Sequence, residues 1–187
     1  MLSYSRPFSV TGGDPASAAG VLPVSIRHQS MRNWCWAAVA ELVSALLDIP
    51  PQSQCQIASQ ALGGVPCCPC PPCNAQCDTT HTLQDALGAH FGSVIGSPTY
   101  PPSGAVVDFD TISHEINNNR RPVCCEIDFS GLSEHYVAII GAFVIASVAY
   151  VRVCDPLSGD GNYQDIPFQQ FAQAYNGGSW DSVVTVA

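Results

Sequence analysis

Cys35 stands between two tryptophans in the run His28-Gln29-Ser30-Met31-Arg32-Asn33-Trp34-Cys35-Trp36-Ala37-Ala38-Val39, at what reads as the first turn of a helix. A thiol there feels the positive end of the helix dipole, which favours thiolate over thiol. A thiolate is the nucleophile that acyl transfer needs, and the Gln29 amide upstream can donate to a developing oxyanion. Such a nucleophile requires a base within hydrogen-bond reach, and the base requires an orienting acceptor. Of the histidines at 28, 81, 90, 114 and 135, His135 sits at the mouth of the apolar strand His135-Tyr136-Val137-Ala138-Ile139-Ile140-Gly141. A loop-to-strand edge is where a rigid scaffold displays a polar side chain. The next strand ends in Val153-Cys154-Asp155-Pro156, and a hairpin reversal brings Asp155 back beside His135, as its best placed carboxylate. Plainer readings stand beside these. Cys35 can be a small buried hydrophobe, Gln29 a loop glutamine and Asp155-Pro156 a turn. His28, near Cys35 in sequence, is a rival base, and the other three histidines read as surface or helix residues.

The elements that must position these groups follow from periodicity. Val24 and Ile26 alternate in a short strand over 23–28, and Asn33 caps a helix from about Trp34 to Asp48, with a core stripe of Ala38, Leu42, Ala45 and Leu46. Ser53 caps a second helix through Leu62, Thr82–His90 forms a third, and Asp108 or Asp110 caps a fourth carrying Ile112 and Ile116. Residues 66–77 read as a loop without regular structure and 96–104 as a Pro/Gly-rich linker. From Pro122 the period changes: 123–129, 136–144 and 149–154 are β-rich, followed by a helix over 168–175 and a strand over 180–186. Helices first and an antiparallel sheet second make an α+β fold. The reading is a flexible tail or leader over 1–22, then one domain over 23–187, with a helical lobe at about 30–120 and a sheet lobe at about 121–187.

Composition excludes several classes. With 187 residues, 47% hydrophobic and 11% charged, the chain is globular. Its net charge of −9, from 15 acidic groups against 6 arginines, argues against binding nucleic acid or anionic membranes. There is no lysine. Genome bias with an acidic surface explains that, and so does avoidance of lysine modification inside a foreign cell. No signal peptide or membrane span is legible, although Gly12-Gly13 resembles a double-glycine leader. Ten cysteines nevertheless favour a destination outside the producing cell.

Cys67, Cys70, Cys73 and Cys77 fit C-x2-C-x2-C-x3-C, the spacing of a bacterial iron–sulfur run, but Asp78 stands where that motif has proline. A zinc site with His81 is a second reading. Disulfides that include Cys55 and Cys68, pinning a proline-rich loop, are the favoured one. Cys124, Cys125 and Cys154 fall in strands, where they can simply be core.

Gln29-x5-Cys35-Trp36-Ala37-Ala38, Arg121-Pro122-Val123, the His135 strand and Val153-Cys154-Asp155-Pro156, in that order, resemble the papain-like cysteine peptidases. The resemblance covers about residues 23–186 and is nearest to the compact bacterial branches, which include bacteriocin-leader peptidases and a plant-pathogen effector protease. It implies Cys35 as nucleophile, His135 as general base, Asp155 as orienter, and Gln29 with the Cys35 backbone amide as oxyanion hole. It further implies a monomer acting on a peptide or protein without cofactor or metal. The 100 residues from Cys35 to His135 are fewer than the roughly 130–150 of papain, and Trp34 replaces a small residue, which points to different subsites. Deamidation or transglutamination by the same triad, and a cysteine-rich binding module, are the alternatives.

Overall fold

The computed structural model describes residues 20–47, 52–91, 107–131 and 133–185. The proposed leader therefore lies mostly outside the described residues, as does the 96–104 linker.

Helix α1 (Cys35–Leu46) is rich in Ala and Leu, with no Gly or Pro inside it. Its burial exceeds the stripe expected from sequence. Residues 35–40 and 42–44 are all buried, whereas Ala45 is exposed. The reason is position: α1 packs against β2 as well as against α2 and α3, so no side of its first two turns faces water. Trp34 and Trp36 are essentially inaccessible. Burying a large apolar side chain contributes roughly 1.5–3 kcal/mol relative to leaving it exposed, which makes the start of this helix a strongly held part of the core.

Asn33 does not cap α1. The N-cap is Trp34, and the Asn33 amide donates instead to the Asp78 carbonyl at 3.1 Å. Helix α2 (Gln54–Ala61) follows Ser53, whose N–H donates to Gln56 Oε1 at 2.9 Å, the return half of a capping box. Gly63 and Gly64, both at positive φ, stop it. Helix α3 (Leu83–Phe91) opens with Thr82 Oγ1 accepting from Asp85 N–H. In α4 (Phe109–His114) the cap is Asp108, which accepts from Thr111 N–H at 2.7 Å. A wider turn, Glu115–Asn119, prolongs α4.

Among the described residues five antiparallel strands form one sheet: β1 (Val123–Asp128), β2 (Glu134–Ile145), β3 (Val148–Cys154), β4 (Gln164–Pro167) and β5 (Ser179–Thr185). Their order is β4-β3-β2-β1-β5, and α5 (Phe168–Gln173) links the two edges. The short strand β4 was not anticipated. It has only four residues and one aliphatic side chain, and it is specified from its partner, where Arg152 grips Asp165 through Nε–Oδ1 at 2.8 Å and Nη2–Oδ2 at 2.9 Å.

The strand expected over 23–28 is absent. Pro23 has no N–H to give a ladder, and the segment's backbone bonds go singly to different loops, as in Gly161 N–H to Ile26 O at 2.8 Å and Gln29 N–H to Pro156 O at 3.1 Å. Just before it, Val21 bridges Gly141, where β2 runs past the end of β1. A Cβ at Gly141 would lie 2.8 Å from that of Arg152, so the approach requires glycine. Among the described residues no helix is long and apolar enough to cross a membrane.

Candidate active site

The cysteine-rich loop is a disulfide structure. Cys55 pairs with Cys68, Cys67 with Cys77 and Cys70 with Cys73. The iron–sulfur and zinc spacings are thereby taken up by sulfur–sulfur bonds, and among the described residues no group of three or more His, Cys, Asp or Glu is placed to hold a metal ion. The loop is not wholly irregular, since Ala75–Cys77 makes a single 3-10 turn.

That turn lies against the start of α1. Trp34 Nε1 donates to the Cys77 carbonyl at 2.7 Å and Trp36 Nε1 to the Thr79 carbonyl at 3.1 Å. Asn33 N–H donates to Asp78 Oδ1 at 2.8 Å. The residues flanking Cys35 thus fasten three consecutive loop residues, and the Cys67–Cys77 disulfide holds the same stretch from the other side. His81 packs edge-on to Trp36, with ring centroids 5.2 Å apart.

Cys35 is the first residue of α1, so its backbone N–H belongs to the first turn, where no intrahelical acceptor exists. His135 stands second in β2, paired across to Ile127 of β1. Ala138 opposite Cys154 sets the β2–β3 register, which returns Asp155 to the His135 end. His135 Nε2 donates to Asp155 Oδ1 at 2.8 Å. Cys35 lies close enough to the ring to raise the His135 pKa, and Nδ1 is the ring nitrogen that Asp155 leaves free. The three groups are therefore brought together, each less than a tenth exposed: Cys35 8%, His135 8% and Asp155 5%.

The electrostatics follow from this contact. Burial disfavours the imidazolium, yet the hydrogen bonds and negative charges of Asp155 and Cys35 outweigh it and push the His135 pKa up to about 9. Burial alone would lift Asp155, but donors from His135, Leu157 N–H and Tyr175 hydroxyl hold its carboxyl below the ordinary 3.8. The arrangement maintains a protonated imidazole beside the Asp155 carboxylate at neutral pH.

Gln29 is 5% exposed, and its Nε2 donates to the carbonyls of Met31 at 3.0 Å and of Arg32. Its Oε1 is buried without a partner. His28 is exposed and its Nδ1 donates to the Gln29 carbonyl at 2.8 Å. His114 ends α4, and the side chain of His90 lies outside the described residues. Two groups that touch Asp155 were missed from sequence. The Leu157 N–H bonds Oδ1 and the Tyr175 hydroxyl bonds Oδ2, both at 2.8 Å. Asp-Pro turn chemistry signals the first. For the second, only a tyrosine ahead of Asn-Gly hints at it.

The sequence matches the Peptidase_C39 like family over residues 21–182. A search of curated proteins returns no match. Among solved structures, digestive procathepsin L 3 of the Tenebrio molitor larval midgut is similar with a TM-score of 0.55 at 14% identity, covering 97% of this chain and 73% of that one. A structure from work on the mite allergens Blo t 1 and Der p 1 is similar with a TM-score of 0.50 at 12% identity, covering 95% and 75%. These likenesses give the fold, an α+β papain-like one. With the family match over most of its length, the chain belongs to the Peptidase_C39 like family and is a papain-like cysteine peptidase.

Proposed function

We propose that Cys35, His135 and Asp155 are the catalytic triad of this peptidase. The observation that carries the reading is the His135 Nε2–Asp155 Oδ1 hydrogen bond at 2.8 Å, on a ring near enough to Cys35 to feel its charge. In this scheme the Cys35 thiolate attacks the scissile carbonyl, and the imidazolium gives its proton to the leaving amine. The resulting acyl-enzyme is hydrolysed by a water that His135 deprotonates. Asp155 keeps the ring oriented and its positive charge balanced.

The developing oxyanion takes the Cys35 backbone N–H as one donor. Gln29 is the second. It turns one amide N–H from a backbone carbonyl to the substrate oxygen, exchanging one acceptor for another, so little hydrogen-bond energy is lost. The substrate is a peptide or protein, and three disulfides are compatible with action in an oxidising, extracellular setting. Secretion or delivery into another cell, or processing of a leader, are the roles this setting suits.

Incubation of the protein with a peptide library, with Cys35→Ala as control, tests the reading. New peptide N-termini are expected from the wild-type protein and none from the variant. Retained cleavage by Cys35→Ala would sink the assignment, and ammonia release without cleavage would make the reaction a deamidation.

A further inference from the structure

We propose that Tyr175 is a positioning residue of this peptidase, fixing the rotation of the Asp155 carboxylate so that Oδ1 stays on His135; this rests on the triad reading above. Two donors, His135 Nε2 and Leu157 N–H, converge on Oδ1 at 2.8 Å each. Donors on a single oxygen leave the carboxylate free to pivot, because its terminal torsion is broad. The Tyr175 hydroxyl donates to the second oxygen, Oδ2, again at 2.8 Å. It completes a three-point hold.

Tyr175 is itself held from several sides. It is 2% exposed, and its ring packs on Phe171 of α5 at 5.5 Å, which in turn meets Trp180 of β5 edge-on at 5.2 Å. Its backbone closes a two-residue turn, with Tyr175 N–H to Gly178 O and Gly178 N–H to Tyr175 O both at 2.9 Å. Asn176 and Gly177 occupy the turn at φ 51° and 90°, the left-handed pair for which Asn-Gly is the preferred sequence. The turn also lies flat on β1. A Cβ at Gly178 would come within 2.6 Å of Ile127 Cγ2, and Ile127 is the cross-strand partner of His135. One short segment therefore references the hydroxyl to the strand beside the histidine.

Other groups near the Asp155 charge do not substitute for this hydroxyl. His135 reaches it from β2 and carries the Cys35 interaction from α1, while Cys154, next in sequence and near Arg152, is pushed up to about 11 by burial and stays neutral. Burial and the Asp155 charge keep the Tyr175 phenol protonated, so it donates throughout the working pH range.

Tyr175→Phe removes the hydroxyl and keeps the ring. The readout is the rate of Cys35 alkylation by iodoacetate against pH, together with kcat and KM on a cleaved peptide. Without its third donor Asp155 takes up a proton more readily, and His135 loses the partner that keeps its ring charged beside Cys35. The acid limb should move up by about one pH unit and kcat fall about tenfold with KM unchanged. In an Asp155→Asn background the same substitution should cost nothing further. An unmoved limb, or losses that multiply across the two backgrounds, overturns the proposal, since a merely structural tyrosine would lower stability and leave the limb in place. If Tyr175→Phe does not fold, wild-type protein grown on difluorotyrosine, a stronger donor, should show the limb displaced downward, and an unmoved limb overturns the proposal there too. Alkylation needs no substrate, so a wild-type protein that cleaves nothing would count against the peptidase reading while the limb still decides the role of Tyr175.

Discussion

Replacing Cys67 and Cys77 together by alanine tests whether the disulfide loop positions Cys35 or only stabilises the lobe. The two cysteines are separated by 10 residues, and the loop-entropy relation gives about 3 kcal/mol for a closure of that size. Against a typical 5–15 kcal/mol for a domain, the variant should still fold, with a urea midpoint lowered accordingly. The second effect is local. Trp34 and Trp36 are buried, and their indole N–H groups depend on the carbonyls of Cys77 and Thr79. A loop that drifts leaves those donors unsatisfied, at about 1–3 kcal/mol each, unless the start of α1 follows it. Either response displaces the residue lying between them, and a displacement near 1 Å at a reacting group costs on the order of 10²-fold in rate. The assay is urea unfolding together with alkylation of Cys35 and peptide cleavage, under conditions where the variant is fully folded. A variant less stable by about 3 kcal/mol with wild-type alkylation and cleavage rates would refute the positioning argument and leave the loop as a staple.

Asp155→Asn should bring the His135 pKa down from about 9 toward or below its ordinary 6.5, because the burial that opposes the charge remains while the main anionic partner is gone. At 1.36 kcal/mol per pH unit this is about 3 kcal/mol, so cleavage at neutral pH should fall on the order of 10²-fold and the alkaline limb should move to lower pH. A pH–rate profile measures both, and an unchanged alkaline limb would detach Asp155 from the histidine. Stability should follow the same proton. His135 is raised in the folded state, so its contribution is fully present below pH 6.5 and is lost as pH rises through about 9. The stability difference between wild type and His135→Gln, from urea midpoints at pH 6 and pH 9.5, should shrink across that interval. A constant difference contradicts the linkage.

Periodicity made the helices and the long strands legible, because α1 and β2 are specified by residues within them. Hairpin logic likewise led from the β2–β3 turn to Asp155 beside His135, since an antiparallel pair fixes which ends meet. What was misread depends on partners distant in sequence. Asn33 has the residue type of a cap, but Asp78 takes its amide. Residues 23–28 alternate as a strand would, but among the described residues no neighbouring strand accepts them. The four residues of β4 are decided by Arg152, and Tyr175 is a buried hydroxyl whose purpose shows only once Asp155 is placed. Disulfide pairing was illegible because adjacent Cys67 and Cys68 pair in different directions, with Cys77 and Cys55.

If Cys35 is the nucleophile as proposed, a chain with ten cysteines has to keep it chemically distinct, and environment does this sorting. Six are paired within residues 55–77. The four free ones are all buried, so burial alone does not discriminate. Charge does. Cys124 is pushed up to about 12 and Cys154 to about 11 by removal from water, and Cys125 is raised well above its ordinary value. Those three stay as thiols, and exchange or alkylation requires thiolate. Cys35 alone among them lies beside an imidazole whose charge is maintained at neutral pH. The positive charge on that imidazole draws a negatively charged reagent to this thiol and not to the others. On the proposed triad, reactivity confined to one sulfur is a property of the Asp155–His135–Cys35 arrangement, and it should vanish with that arrangement even in a variant whose disulfides and core are intact.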